Sequence, residues 1–241
     1  MDTPKMLVVT PTYNERENLP RFVEGLFATA PNADVLIVDD NSPDGTGDLA
    51  ESLAREDERV RLRRRPKKLG LASAYLEAFR YALERDYELV FQMDTDLSHD
   101  AQYIPAFLSR IADGADLVLG SRNIPGGGVE GWGPGRTFIS KGGSLYARSI
   151  LGVGIRDLTG GYKAFRRHVL EAIALEDVQS QGYSFQIEMT FRAHRLGFRV
   201  DEVPIVFVDR RAGASKMSRR IFAEAVVMMP KLRFDSMRGK L

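Results

Sequence analysis

The chain has 241 residues, enough for one large core or one core with a small appendage, and its 34 Lys and Arg against 33 Asp and Glu leave a formal charge of +1. That balance lacks the global basic field of nucleic-acid binders, and the absence of cysteine removes disulfides, thiolate zinc sites and cysteine nucleophiles. No apolar run approaches the roughly 18–20 residues that span a bilayer, and the first apolar stretch starts at Met6, leaving no room for a signal peptide, so a soluble or peripheral protein of a reducing compartment is expected.

Met6–Thr10 reads as a strand running into Pro11-Thr12-Tyr13-Asn14-Glu15, and Leu19, Phe22, Val23, Leu26 and Phe27 then follow helical i, i+3, i+4 spacing. Val35–Val38 is a second strand, ending in Asp39-Asp40-Asn41-Ser42-Pro43-Asp44-Gly45-Thr46. Val60–Leu62 is a third, inside the basic run Arg59–Lys68, which could touch lipid headgroups but is expected rather to be a solvated strand edge. Leu71–Leu83, rich in Ala, Leu and Tyr, reads as a helix. Leu89–Met93 is a fourth strand, ending in Asp94-Thr95-Asp96, and Leu117–Leu119 a fifth, ending in Gly120-Ser121-Arg122. Strand-helix alternation with short connections predicts an α/β fold, a mostly parallel twisted sheet flanked by helices. Beyond Gly120, Asn123–Gly135 is Gly/Pro-rich and expected to be loop. A segment Gly161–Phe165, a helix Ser184–Leu196, a strand Arg199–Val208 and a helical stretch from Ser218 complete the chain.

Four strands, taken as neighbours, thus end in polar clusters at one sheet edge, where open α/β sheets bind ligands. Each cluster alone could be an ordinary turn, since Asp, Asn and Pro are common there; four at the binding edge point to a site. Asp94 and Asp96 are the centre of it. Two carboxylates one residue apart repel, and a hard divalent cation that also takes substrate phosphate oxygens removes the repulsion. The first strand-helix junction has no Gly-x-Gly-x-x-Gly and the chain has no Gly-x-x-x-x-Gly-Lys-Ser/Thr, which argues against dinucleotide binding and P-loop phosphoryl transfer.

Pro11–Glu15, Val38–Thr46, Met93–His99 and Gly120–Arg122 resemble the inverting family 2 glycosyltransferases of GT-A fold. Trp132…Arg136…Ile139-Ser140-Lys141, Thr159–Arg166 and Asp209-Arg210…Gly213-Ala214-Ser215-Lys216 are similar to the polyprenol-phosphate (dolichol-phosphate) mannose synthases within it. The resemblance spans roughly residues 6–230. It implies GDP-mannose contacts at Pro11, Tyr13, Glu15, Val38, Asp40 and Thr95, and Mg²⁺ or Mn²⁺ at Asp94 and Asp96. It also implies donor-phosphate contacts from Arg210 and Lys216 on a mobile loop, and an acceptor phosphate held by Arg122, Arg136 and Ser140. Asp96 and Arg122 would carry the chemistry. The sequence departs at Ser98, where some relatives have a metal-associated Gln, and at Gly70-Leu71-Ala72, where Gly-Leu-Gly is usual.

The reaction implied is inverting transfer of mannose to polyprenyl or dolichyl monophosphate. Glucosyl or N-acetylhexosaminyl transfer, or a non-catalytic nucleotide-sugar-binding subunit, are the alternatives. A phosphate monoester has a second pKa near 6 and is already the nucleophile at neutral pH, so arginines rather than a general base suit the acceptor side. His99 is expected to be solvated or capping, and His168 and His194, in helical stretches, are assigned no role.

One domain is expected over residues 1–241, with a nucleotide-sugar-binding half at 6–122, an acceptor half at 123–217 including the loop 210–218, and an amphipathic C-terminal helix at 218–241. Phe138, Ile139, Leu145, Tyr146 and Ile150, flanked by Lys141 and Arg148, line one helix face. Ile221, Phe222, Ala225, Met228, Met229 and Leu232, beside Arg219, Arg220, Lys231 and Arg233, line another. Either face can lie on an anionic membrane or pack on the sheet. The expected location is the cytoplasmic face of a membrane, peripherally bound, with room for a small membrane-anchoring partner and none for nucleic acid.

Overall fold

The computed structural model describes residues 4–209 and 219–239. The amino-terminal half alternates as the periodicity predicts: β1 (Met6–Thr12), α1 (Leu19–Thr29), β2 (Ala33–Asp39), α2 (Thr46–Glu56), β3 (Val60–Arg64), α3 (Leu71–Glu84), β4 (Leu89–Gln92), α4 (Ile104–Ala112) and β5 (Leu117–Ser121). There follow β6 (Gly128–Glu130), α5 (Pro134–Leu151), β7 (Lys163–Arg166), α6 (Arg167–Ala172), α7 (Gly182–Arg195), β8 (Val200–Pro204), β9 (Val206–Val208) and α8 (Arg219–Met237).

Alternate residues of each strand point to opposite faces, which divides the core in two. Leu7, Val9, Leu36, Val38, Val90 and Phe165 pack with Tyr75 and Phe79 of α3 and Phe185 of α7. Val8, Val35, Ile37, Phe91 and Ala164 pack on the other side with Leu19 and Phe22 of α1 and Phe107 of α4. Strands covered on both sides read as continuous apolar runs, as Met6–Val9 does, and each fully buried Leu, Val or Phe side chain contributes about 1.5–3 kcal/mol.

The seven-stranded sheet has the order β3-β2-β1-β4-β7-β5-β8. All neighbours are parallel except β7, which runs antiparallel between β4 and β5 with Lys163 opposite both Gln92 and Leu119. This corrects the expectation that the fourth and fifth strands adjoin. Because β7 is reversed, its beginning lies at the edge where β4 and β5 end, and the segment Thr159–Tyr162 is delivered there.

Two further expectations are corrected beyond β5. The Gly-rich stretch is not all loop, since it contains β6, and Pro134 opens α5. The predicted strand Arg199–Val208 breaks at Ile205: β8 pairs with β5, whereas β9 pairs with β6 in a separate two-stranded sheet. The return of the chain over β5 needs glycine at 127, where a Cβ would lie 2.4 Å from the Ser121 carbonyl oxygen.

α5 buries Ala147 and Leu151 and rests Tyr146 and Ile150 on the core, but leaves Phe138 79%, Ile139 49% and Leu145 59% exposed. α8 packs against α5 and α7 through buried Met229 and Leu232, so that part of its apolar face is core. The side chains of Arg219, Arg220, Ile221, Phe222 and Ala225 lie outside the described residues. Among the described residues no helix is long and apolar enough to cross a membrane.

Candidate active site

The ends of β1 and β2 form one corner of the site. The two strands are in register up to Thr12 and Asp39, and the Asp40 amide donates to the Thr12 carbonyl at 3.1 Å. Asp39 is fully buried and braces the turn, accepting from Thr12 Oγ1, the Ser42 amide and Ser42 Oγ. Asp40, also buried, receives Arg65 Nε at 2.6 Å on Oδ1 and the Leu69 and Gly70 amides at 3.2 and 2.9 Å on Oδ2. Tyr13 lies under the Lys68 ammonium, 3.7 Å from the ring centre. Pro11 is part-exposed at this corner, and Glu15 Oε2 accepts from Asn18 Nδ2. Val38 is fully buried, so only its main chain is available to a ligand.

The end of β4 supplies the carboxylates. Thr95 ties this turn to β1 through a 2.6 Å hydrogen bond between its Oγ1 and that of Thr10. Asp96 is buried and accepts from the Ser98 amide at 3.1 Å, with Leu97 between them at φ 63°, while the Asp94 side chain is 38% exposed. The Asp94 amide donates to His99 Nδ1 at 3.0 Å, and the His99 ring stacks on Tyr162, 5.1 Å between centres. His99 is therefore buried beneath the turn as a support for Asp94, not solvated. A Cβ at Gly161 would lie 3.7 Å from Asp94 Oδ2 and 3.3 Å from His99 Cε1, so the segment brought by β7 closes directly on Asp94. Tyr75 reaches Asp94 Oδ1 from below at 3.4 Å, and burial, reinforced by the Asp94 charge, pushes its phenol well up.

Among the described residues no three His, Cys, Asp or Glu side chains gather as a self-sufficient metal cage. Two neighbouring carboxylates, one part-exposed, fit instead a hard cation that completes its shell with water and substrate phosphate. The Ser98 hydroxyl beside them is buried without a hydrogen-bond partner.

Across the cleft, Arg122 is anchored by a residue that motif reading does not single out. Asp157, with no exposed surface, accepts the Arg122 amide at 3.0 Å, Nε at 2.7 Å and Nη2 at 2.8 Å. Burial alone would push this carboxyl up, but the Arg122 charge and hydrogen bonds override it and hold it below the usual carboxylate value. Thr159 Oγ1 accepts from Arg122 Nη2 at 2.9 Å. Arg136, in the first turn of α5, pairs with Asp209 Oδ2 at 2.7 Å and lies 4.2 Å from the centre of the Trp132 ring. Trp132 in turn meets Phe207 of β9 edge-on, and Phe207 meets His99, so an aromatic chain links the two sides of the cleft. Ser140 is part-exposed on α5 one turn beyond Arg136. Arg210, Lys216 and the rest of the predicted loop 210–218 lie outside the described residues.

The site therefore combines a pocket corner at β1 and β2, a carboxylate pair at β4 and guanidinium groups at β5 and α5. The chain is similar to known proteins both in sequence and in fold. Residues 7–174 match the model of the family described as glycosyl transferase family 2. The undecaprenyl-phosphate mannosyltransferase of Micrococcus luteus is 46% identical over 98% of this chain and 99% of that protein. The polyprenol monophosphomannose synthase of Mycolicibacterium smegmatis is 48% identical over 99% of this chain and 89% of that protein. The fold is shared with glucosyl-3-phosphoglycerate synthase of Mycobacterium tuberculosis, solved with Mn²⁺, UDP-glucose and phosphoglyceric acid, at a TM-score of 0.68 and 18% identity over 95% of this chain and 79% of that one. The chain has the GT-A fold and belongs to glycosyl transferase family 2.

Proposed function

We propose that the protein transfers mannose from GDP-mannose to a polyprenyl monophosphate, with inversion, giving β-mannosyl-phosphoryl-polyprenol and GDP. The observation that carries this reading is the Asp94/Asp96 pair at the end of β4 sharing one sheet edge with Arg122 at the end of β5, in a chain close to half identical to enzymes named for that acceptor class and sugar. The names of those relatives support the sugar and the lipid phosphate; the resemblance of Pro11, Tyr13, Glu15, Val38 and Asp40 to the family's donor motif supports GDP.

Asp94 and Asp96 would hold Mg²⁺ or Mn²⁺, which when bound neutralises charge developing on the departing diphosphate. Arg210 and Lys216 would add positive charge on the same side. On the other side Arg122, Arg136 and Ser140 orient the acceptor phosphate. An oxygen of that phosphate forms the bond to the anomeric carbon as the bond to the GDP oxygen breaks, and GDP leaves with the electron pair. The acceptor is already ionised, so no residue has to remove a proton, and positioning with charge complementarity supplies the rate.

The lipid tail calls for a membrane surface. The exposed Phe138, Ile139 and Leu145 of α5, with Lys141 and Arg148 on the same helix, suit peripheral binding to an anionic bilayer next to the acceptor arginines. Calorimetric titration of GDP and UDP, with Mn²⁺ and with EDTA, tests the donor reading: GDP binds more tightly than UDP and more tightly with the metal. Equal affinity for GDP with and without EDTA, unchanged in Asp96→Asn, removes the metal from the reading.

A further inference from the structure

The basic run Arg59–Lys68 takes no part in the reaction as drawn, and most of it is spent on the surface. Arg59 pairs with Asp57, Arg61 with Asp34, Arg63 with Glu77 and Arg64 with Asp48, in contacts worth about 0–1 kcal/mol when exposed. Arg65 is different. It is 4% exposed, and its guanidinium bridges the end of β2 and the start of α3. Nε donates to Asp40 Oδ1 at 2.6 Å, Nη1 to Ser73 Oγ at 2.8 Å and Nη2 to the Gly70 carbonyl at 3.0 Å, with Nη2 also against Asp40 Oδ1. Its own amide donates to the Asp39 carbonyl at 2.9 Å.

The other oxygen of Asp40 receives the Leu69 and Gly70 amides, so Arg65 and Asp40 together pin the segment that enters α3. Gly70 holds φ at 95°, a backbone state that L side chains rarely adopt, and turns this peptide toward the carboxylate. The pinned segment stands at the corner of Pro11, Tyr13 and Asp40, with Lys68 over the Tyr13 ring and Leu69 and Leu71 exposed beside it. A buried ion pair is weak evidence for stability, because desolvation offsets much of its attraction. A planar donor group fixed to a carboxylate, a carbonyl and a hydroxyl at once does fix geometry.

We propose that Arg65 is a positioning residue of the donor site, holding Asp40 and the Lys68–Leu71 segment as the wall against which the purine of the donor nucleotide docks. This deepens the donor reading above and rests on it. The effect falls on donor binding, because Arg122, Arg136 and Ser140 belong to other elements and none of the Arg65 contacts reaches them.

The test uses the full chain with Mn²⁺, GDP calorimetry, and separate KM values for GDP-mannose and polyprenyl phosphate. Arg65→Met raises the donor KM and the GDP Kd by about 10-fold or more, leaves the acceptor KM within about twofold, and is partly rescued by Arg65→Lys. Gly70→Ala provides the second variant, since a Cβ there meets nothing within 4 Å and only the backbone state resists it; it produces the same donor-selective loss and decides the matter alone if Arg65→Met does not fold. Folded variants that bind GDP as the wild type does, or that shift both KM values together, overturn the proposal. A wild-type chain that binds no GDP overturns the donor reading, and this proposal with it.

Discussion

Replacing Asp157 by Asn strikes the contact on which the acceptor side is built. Asp157 is wholly buried and takes three hydrogen bonds from Arg122, whose own side chain is 9% exposed. Asn keeps one acceptor oxygen and turns an amide NH₂ toward a guanidinium, so at least one charge-assisted bond is lost and a buried cation loses its counter-charge. Removing one partner of a buried pair costs about 3–5 kcal/mol. For a chain of this size each kcal/mol lowers Tm by roughly 2–4 °C, which gives a fall of roughly 6–20 °C. Arg122, no longer aimed, raises the acceptor KM, by about tenfold for each 1.4 kcal/mol of lost binding. Thermal unfolding and initial rates against polyprenyl phosphate measure the two effects. The double variant Arg122→Met with Asp157→Leu removes both charges and should recover stability but not transfer. If Asp157→Asn melts within about 1 °C of the wild type and keeps its acceptor dependence, the assignment of Asp157 as the residue that aims Arg122 is wrong.

Arg136→Ala should slow transfer about 10- to 100-fold through the acceptor, for a lost phosphate contact of about 1.5–3 kcal/mol, with GDP affinity unchanged; weaker donor binding with an intact acceptor dependence contradicts this. Burial pulls the amine of Lys163, which donates to the Gln186 carbonyl and Thr190 Oγ1, down to about 7, against an opposing pull from Asp157. The folded chain therefore binds fewer protons than the unfolded one between about pH 7 and 10, and stability gains from this group as pH rises through that window. Urea midpoints should rise less steeply with pH in Lys163→Met, and parallel curves would refute the assignment. Phe138→Ser with Leu145→Ser should abolish salt-sensitive binding to anionic vesicles while moving Tm little, because both side chains are already exposed.

What the sequence revealed follows from where its signals are local. The apolar runs that end in Pro11, Asp39, Asp94 and Gly120 are bounded by polar clusters, so β1, β2, β4 and β5 and their ligand edge could be read directly. The spacing of Leu19, Phe22, Val23 and Leu26 likewise gave the buried face of α1. The direction of β7 could not be read, because Lys163–Arg166 carries no mark of orientation and its pairing joins residues more than 70 positions apart on one side. Asp157 was missed because an Asp among glycines looks like a turn, and its meaning comes only from Arg122 folding onto it. Arg65 was hidden in a run whose other arginines do lie at the surface. His99 reads as solvated or capping from the sequence because the ring that covers it, Tyr162, arrives from the residue just before β7. The apolar stripe of α5 was visible, but its division into buried Ala147 and Leu151 and exposed Phe138 and Leu145 depends on where α8 packs.

The most direct measurement supplies the protein with radiolabelled GDP-mannose or UDP-glucose, Mn²⁺ and polyprenyl phosphate, extracts the lipid and determines the anomeric configuration of the product. The account predicts label in the lipid phase from GDP-mannose, as a β-linked mannosyl phosphate, and loss of that label in Asp96→Asn and with EDTA. Label from UDP-glucose alone, an α-linked product, or undiminished transfer by Asp96→Asn would contradict it.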